Sequence, residues 1–446
     1  MRVAIIGAGI VGVTTAYELN DDGHEVTVFE RCGSVAAETS FANAGVVAPG
    51  YVTPWAAPGM PGKVLSHLLS RHAPVRINAS LNLATVRWMW RWWRACRSRT
   101  YLANGTRMHR LAHYSRERLH AITAKLRLEY ERNDGYLVLL RTPQDLKLAR
   151  PGVQMLETLG TRFSLIDAAH CHRVEPGLNP ETALHAGIYL PDGEVGNCRQ
   201  FAHLLRDEAH RRGVQFRFHS KVITLRAGKH PSLVYEHAPP EESTIVAPNN
   251  HAESDGPLTQ PMPFEPTSES FDAIIVCAAL GSPALLRPLG MRIPLAPVYG
   301  YSITAPLRHF EAHPDVGPRS AVMDERYKVA ISRIGQRVRV AGSAEVGGDA
   351  RTMNKAALET LYKALDDWFP GVINLAHTQQ WKGARPMLPD GPPIVGASAA
   401  PGIWLNLGHG SSGWALSCGS ARVLADTLVG RPCHIDTEGL GMERLR

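Results

Sequence analysis

Cysteine is scarce and scattered in this chain. Its seven cysteines (Cys32, Cys96, Cys171, Cys198, Cys277, Cys418 and Cys433) form no Cys-x-x-Cys pair. That spacing excludes the usual zinc sites and a disulfide framework, so no metal is expected and a reducing, cytoplasmic setting is favoured. Long apolar runs are missing as well: no stretch of eighteen uncharged apolar residues occurs, so no membrane-spanning helix is expected. Nowhere do five basic residues follow one another, and nucleic acid is not an expected partner. There is no internal repeat. Met1-Arg2 leads straight into an apolar strand, so no secretory signal is expected.

What remains is an ordinary globular composition, 44% hydrophobic and 20% charged over 446 residues, enough for two or three structural units. The 48 Lys and Arg against 41 Asp and Glu leave a net charge of +7. A surplus of that size favours anionic substrates or an anionic membrane surface.

Residues 2–6 are a short β-branched run, residues 10–20 carry a helical pattern, and Val26 to Phe29 form a second apolar run. Strand, helix and strand within so short a span make a βαβ unit. Its first turn reads Gly7, Ala8, Gly9, Ile10, Val11, Gly12, a G-x-G-x-x-G between strand and helix. Gly7 permits the tight turn, Gly9 admits a pyrophosphate to the backbone, and Gly12 lets helix and strand close up. Amides at the helix N-terminus then face the phosphate charge. Glu30, eighteen residues beyond Gly12, is placed to accept both ribose hydroxyls and disfavours a 2′-phosphate. The motif alone does not separate NAD from FAD.

Apolar runs recur at Phe271–Ala279, entering Gly281, and at Ile403–Leu407, entering Gly408, His409, Gly410, Ser411, Ser412 and Gly413 ahead of a helical stretch from Trp414 to Leu428. A second glycine loop at a helix N-terminus, remote from the first, suits FAD better, because the flavin ring gains negative charge on reduction and a helix dipole there stabilises it. Further strands are expected near Tyr327–Ser332 and Arg337–Val340, with a helix around 354–368. Residues 228–270, rich in Pro, Ser, Glu and Asn, are expected to form a long, mobile surface excursion. Arg385, between Ala384 and Pro386 in a proline-stiffened turn, presents a fork suited to a carboxylate.

Several words occur in one order along the chain: Glu38-Thr-Ser-Phe-Ala-Asn-Ala-Gly45, Pro49-Gly-Tyr-Val-Thr-Pro-Trp-Ala-Ala-Pro-Gly59, Arg87-Trp-Met-Trp90, Gly300-Tyr-Ser-Ile-Thr304, Asp324-Glu-Arg-Tyr-Lys-Val-Ala-Ile331, Arg385-Pro-Met-Leu-Pro-Asp-Gly391 and Gly408-His-Gly410. With them the chain resembles, over nearly its whole length, the D-amino-acid dehydrogenase branch of the FAD-dependent D-amino-acid oxidase superfamily. The resemblance implies an α/β fold with a Rossmann-like FAD-binding domain (1–50, 191–290 and 381–446) and a second, sheet-plus-helix substrate domain (51–190 and 291–380), the chain crossing between them. It implies oxidative deamination of D-α-amino acids to 2-oxo acids and ammonia, with hydride passing from Cα to flavin and electrons passing on to a quinone or another non-oxygen acceptor. An oxygen-using oxidase of D-amino acids, glycine or proline-type secondary amino acids is the alternative, and a nucleotide-binding module with a structural FAD is a third. By the same resemblance Arg385 clamps the substrate carboxylate and Tyr327 assists it as the second catalytic residue. Glu30 and Arg31, with Ser40, Asn43, Ala44 and Gly45, match the nucleotide end and the loop along the FAD. Val222 matches the adenine contact, and Ala278, Ala279 and Gly281 match a flavin-side loop. Tyr299 stands where lysine is usual and Asn197 where aspartate is usual, and both departures bear on substrate range.

Residues 87–99 hold five Arg and four Trp. On a helix, Trp88, Met89, Trp92, Trp93, Ala95 and Cys96 share one face, with Arg87, Arg91, Arg94 and Arg97 opposite and Trp90 among them. Such a helix is expected either to pack on the core with a solvated basic face, or to meet a protein partner or the inner face of the cell membrane.

Overall fold

The computed structural model describes residues 1–67, 71–78, 82–237, 265–308 and 316–445. Its first sheet has six strands in the order Ile394–Ala397, Ile403–Leu407, Ala273–Val276, Arg2–Ile6, Glu25–Phe29, Gln215–Arg217, all pairs parallel but the first. The central strands are buried on both faces, which is why they read as unbroken apolar runs. One face carries the helices Ile10–Asp21, Ser98–Leu126, Cys198–Arg211 and Gly413–Leu428 in a single core. The other packs on a three-stranded antiparallel sheet, Ser220–Arg226, Ser232–His237 and Thr267–Ser270. Two of those strands lie inside the expected surface excursion, which is thereby corrected at both its ends; the alternation Leu233, Tyr235 facing the core supplies the apolar face there. The remainder, 238–264, lies outside the described residues.

The second sheet runs Gln379–Met387, Ala296–Pro306, Arg337–Val346, Val329–Ile334, Ala321–Asp324, Asn133–Leu140, Ala186–Val195, Val46–Val47, with short strands at Val75–Ile77 and Ser164–Asp167 beside it. One face is covered by the helix Lys355–Trp368, capped by Asn354 and burying Ala357, Leu361, Ala364 and Trp368. The opposite face looks toward the first sheet.

Two expected boundaries move. Residue 381 falls inside the strand Gln379–Met387, which pairs along the strand Ala296–Pro306 and so belongs to the second sheet. The long helix Ser98–Leu126 packs into the nucleotide-side core, although 51–190 was assigned to the substrate side. Glu18 ties this helix down, taking Arg118 at 2.7 Å and Arg422 at 2.9 Å in a buried ionic node. The helix also crosses Gly419 so closely that a Cβ there would sit 2.9 Å from the Ser115 backbone. Gly419→Val is therefore expected to lower stability by about 1–3 kcal/mol through overpacking, measured by thermal unfolding; an unchanged midpoint would contradict the crossing.

Candidate functional site

The C-terminal ends of four neighbouring strands gather the sequence-predicted loops, as a ligand crevice in an open parallel sheet requires. Gly7 has φ +103°, and a Cβ there would lie 2.7 Å from the carbonyl oxygen of Cys277, while a Cβ at Gly12 would lie 1.9 Å from the Gly7 oxygen. Only glycine fits at Gly12. Gly9 is the N-cap of the helix Ile10–Asp21 and carries no side-chain cap, leaving a cradle for a pyrophosphate that runs over Ala8, Ile10 and Val11. Glu30 is buried at the end of its strand, accepting from Ala8 N at 2.6 Å and Cys32 N at 2.9 Å. Burial pushes its carboxyl above the ordinary range, and the two amides oppose that. Arg31 is exposed and ion-paired with Glu38. These residues fit a dinucleotide with free ribose hydroxyls.

The loop after Glu38 joins the two halves. Ser40 Oγ accepts from Ile10 N at 3.2 Å, Thr39 Oγ1 donates to Ala384 O at 2.7 Å, and Asn43 O accepts from Arg339 at 2.9 Å. Asn43 Oδ1 holds Gly45 N at 2.8 Å, and Gly45 O takes Trp414 Nε1 at 3.1 Å, fixing Ala44 between them. Val222 sits with Ala4, Ile6 and Phe29, at the nucleotide end. Ala278, Ala279 and Gly281 follow the strand Ala273–Val276 and lie behind the first glycine turn. The second glycine loop, Gly408 to Gly413, is bridged to the clamp strand through Met387 and His409. His409 is buried and its Nε2 meets Ser420 Oγ at 2.9 Å. Burial pushes its pKa down to about 3, so the imidazole is neutral.

Arg385 lies flat on its neighbour strand. A Cβ at Gly300 would meet its guanidinium at 2.2 Å, and the paired Gly383 is covered in the same way by the Trp381 ring at 1.7 Å. Its Nη1 donates to Ser343 O at 2.9 Å and reaches Tyr299 O at 3.5 Å. Among the described residues no carboxylate pairs with it, and burial pushes its pKa down to about 10. The same sheet face carries Arg339, which bonds to Thr304 and Asn43 O, and the buried hydroxyls of Ser302 and Ser332, which have no hydrogen-bond partner among the described residues. Sequence reasoning missed all of these, because period-two alternation counts only once the strands are aligned.

Tyr327 is not brought to Arg385. It stands in the turn before Val329, its ring 5.0 Å from the Arg141 guanidinium and 6.0 Å from His72, packed with the core under the helix Lys355–Trp368. Arg385 is on the other face of the sheet. On Arg385's face of the sheet Tyr136 packs edge-on with Tyr51 at 5.4 Å, and Tyr51 donates to Glu325 at 2.8 Å. Burial and then Glu325 hold its hydroxyl protonated.

Both departures have structural partners. The charge missing at Tyr299 arrives from the next strand: Lys382 Nζ lies 4.5 Å over the Tyr299 ring and 3.4 Å from Glu345. Asn197 caps the helix Cys198–Arg211 and donates to Glu131 at 2.6 Å, where a second carboxylate would repel. Next to it, Gly196 N donates to Gly45 O at 2.9 Å.

Residues 2–427 match the profile of the family described as FAD dependent oxidoreductase. The chain is 42% identical to a D-amino acid dehydrogenase of Cereibacter sphaeroides, over 100% of this chain and 95% of that one. It is 39% identical to a D-amino acid dehydrogenase of Rhizorhabdus wittichii over the full length of both. In fold it is similar to glycine oxidase from Geobacillus kaustophilus, with TM-score 0.71 at 16% identity, covering 99% of this chain and 98% of that one. L-Proline dehydrogenase from P. horikoshii gives 0.67 at 14%, covering 100% and 97%. If the first glycine turn holds the dinucleotide, Gly9→Val, where a Cβ would meet only Ser40 Oγ at 3.7 Å, yields folded protein without the flavin absorption band; a band of full intensity would contradict it.

Proposed function

Because the chain belongs to the FAD-dependent oxidoreductase family, we propose that it deaminates D-α-amino acids oxidatively to 2-oxo acids and ammonia, passing electrons to a quinone or another non-oxygen acceptor. The observation that carries the substrate class is Arg385, a partly buried guanidinium without a carboxylate partner among the described residues, on the sheet face turned to the cofactor side. A planar fork takes a carboxylate through two parallel hydrogen bonds, which fixes the orientation of Cα. Bound FAD supplies the acceptor for the hydride that leaves Cα.

The other residues set conditions on that event. Gly300 positions the guanidinium, since any Cβ there displaces it. The Trp381 ring packs with Phe41 and Ala42 and lies over Gly383, beside the strand position that Arg385 covers. His409 is neutral and already engaged with Ser420, and Tyr51 holds its proton, so neither takes the amine proton. On this reading the substrate amine enters the reaction already neutral, and the imino acid formed is hydrolysed afterwards. The D-configuration follows the names of the relatives that match the whole chain.

Arg385→Leu is expected to raise KM by about 30-fold or more, because truncating one partner of a buried charge pair costs roughly 2–5 kcal/mol, while FAD stays bound. Unchanged KM removes the clamp. Anaerobic mixing with D-amino acids should bleach the flavin band and L-enantiomers should not; hydrogen peroxide forming at the turnover rate in air would favour the oxidase instead. The pH profile of kcat/KM should rise with deprotonation of the amine and show no inflection that disappears in His409→Asn.

A further inference from the structure

The tryptophan–arginine segment is two helices, Leu83–Ala95 and Ser98–Leu126, hinged at Cys96 and Arg97. The first has two apolar sides. Trp88, Trp92 and Ala95 are buried against Trp55, Val298 and Met387, and Trp88 Nε1 donates to Met387 O at 3.0 Å, on the strand that bears Arg385. Trp93, expected with them, is 58% exposed. It falls instead into a second stripe with Trp90 at 53%, Val86 at 48% and Leu83 at 66% exposed. At about 100° per residue these four side chains span an arc of roughly 80°, nearly opposite the buried one. Arg87, Arg91 and Arg94 are exposed along one flank of that arc, and the Arg94 guanidinium lies 4.8 Å over the Trp90 ring.

We propose that this outer stripe docks the protein on an anionic lipid bilayer, the helix lying in the headgroup plane. Two indoles and two aliphatic side chains on one line, edged by arginines, match an interface with an apolar interior and a negative surface. The net charge of +7 acts in the same sense. No helix among the described residues is long and apolar enough to cross a membrane, so the contact is peripheral. The helix stands with its back on the clamp strand, and docking brings the substrate side of the protein next to the lipid, where a lipid-dissolved electron acceptor is at hand. That consequence rests on the proposed reaction; the docking does not.

The test is flotation of the FAD-loaded full-length protein with vesicles of phosphatidylcholine and phosphatidylglycerol in equal parts, against phosphatidylcholine alone. The protein should float with the anionic vesicles and stay below with the neutral ones. Trp90→Glu/Trp93→Glu, and separately Arg87→Glu/Arg91→Glu/Arg94→Glu, should weaken binding about tenfold or more. Both variants should keep the flavin band and the unfolding midpoint, because the changed side chains are exposed. Wild type that fails to float, or variants that float undiminished, would overturn the docking. So would dimers broken by Trp90→Glu/Trp93→Glu in protein that never floats, since a second copy would then cover the stripe. Flotation decides this even if no amino acid bleaches the flavin.

Discussion

A guanidinium laid against bare glycine backbone, with no carboxylate partner among the described residues, is the constraint on which the proposed substrate side depends. A partly buried cation held only by carbonyl oxygens is short of solvation, and burial pushes the Arg385 pKa down to about 10. An arriving carboxylate removes that deficit. The neighbouring sequence serves this geometry. Gly300 and Gly383 face each other across two strands, so that Arg385 folds over one and Trp381 over the other. An extra residue in the facing strand Arg337–Val346 turns Ser343, at φ +56°, so that its carbonyl meets the guanidinium.

The nucleotide half obeys a comparable steric rule. Gly12 is pressed on Gly7 and Gly7 on Cys277, so three chain segments share a space that side chains would close. Bonds that cross between the two halves include Ser40 to the first turn, Thr39 and Asn43 to the second sheet, Met387 with His409 across the second glycine loop, and His120 of the long helix with Glu194 of the second sheet.

Much of this was legible in the chain because it is local. The first strand, the glycine turn, Glu30 and the strand Ile403–Leu407 follow from short-range pattern, and they appear where expected. Arg385 was expected in a proline-stiffened turn; it stands instead in the strand Gln379–Met387, paired with Val298, because its prolines fall where that strand still pairs with its neighbour. Tyr327 was misplaced for a different reason: a matching word fixes a position along the chain but not where its side chain goes, and in the turn before Val329 it packs into the core under the helix Lys355–Trp368. Gly300 and the orphaned hydroxyls of Ser302 and Ser332 gave no signal, since their meaning arises only from strands paired across long separations. The boundary at residue 381 failed similarly, because the change from one sheet to the other occurs without a break in composition. Trp93 shows the limit of the helical wheel. Two nearly opposite apolar arcs on one helix read as a single broad face until the buried side is known.

The central claim is that Arg385 receives a carboxylate next to the flavin, and it is tested most directly without turnover. Titrating the oxidised, FAD-loaded protein with a non-reactive carboxylate such as benzoate should perturb the flavin absorption band saturably in the wild type. In Arg385→Leu carrying the same amount of FAD the perturbation should vanish. An equal, saturable perturbation in both proteins would contradict the account.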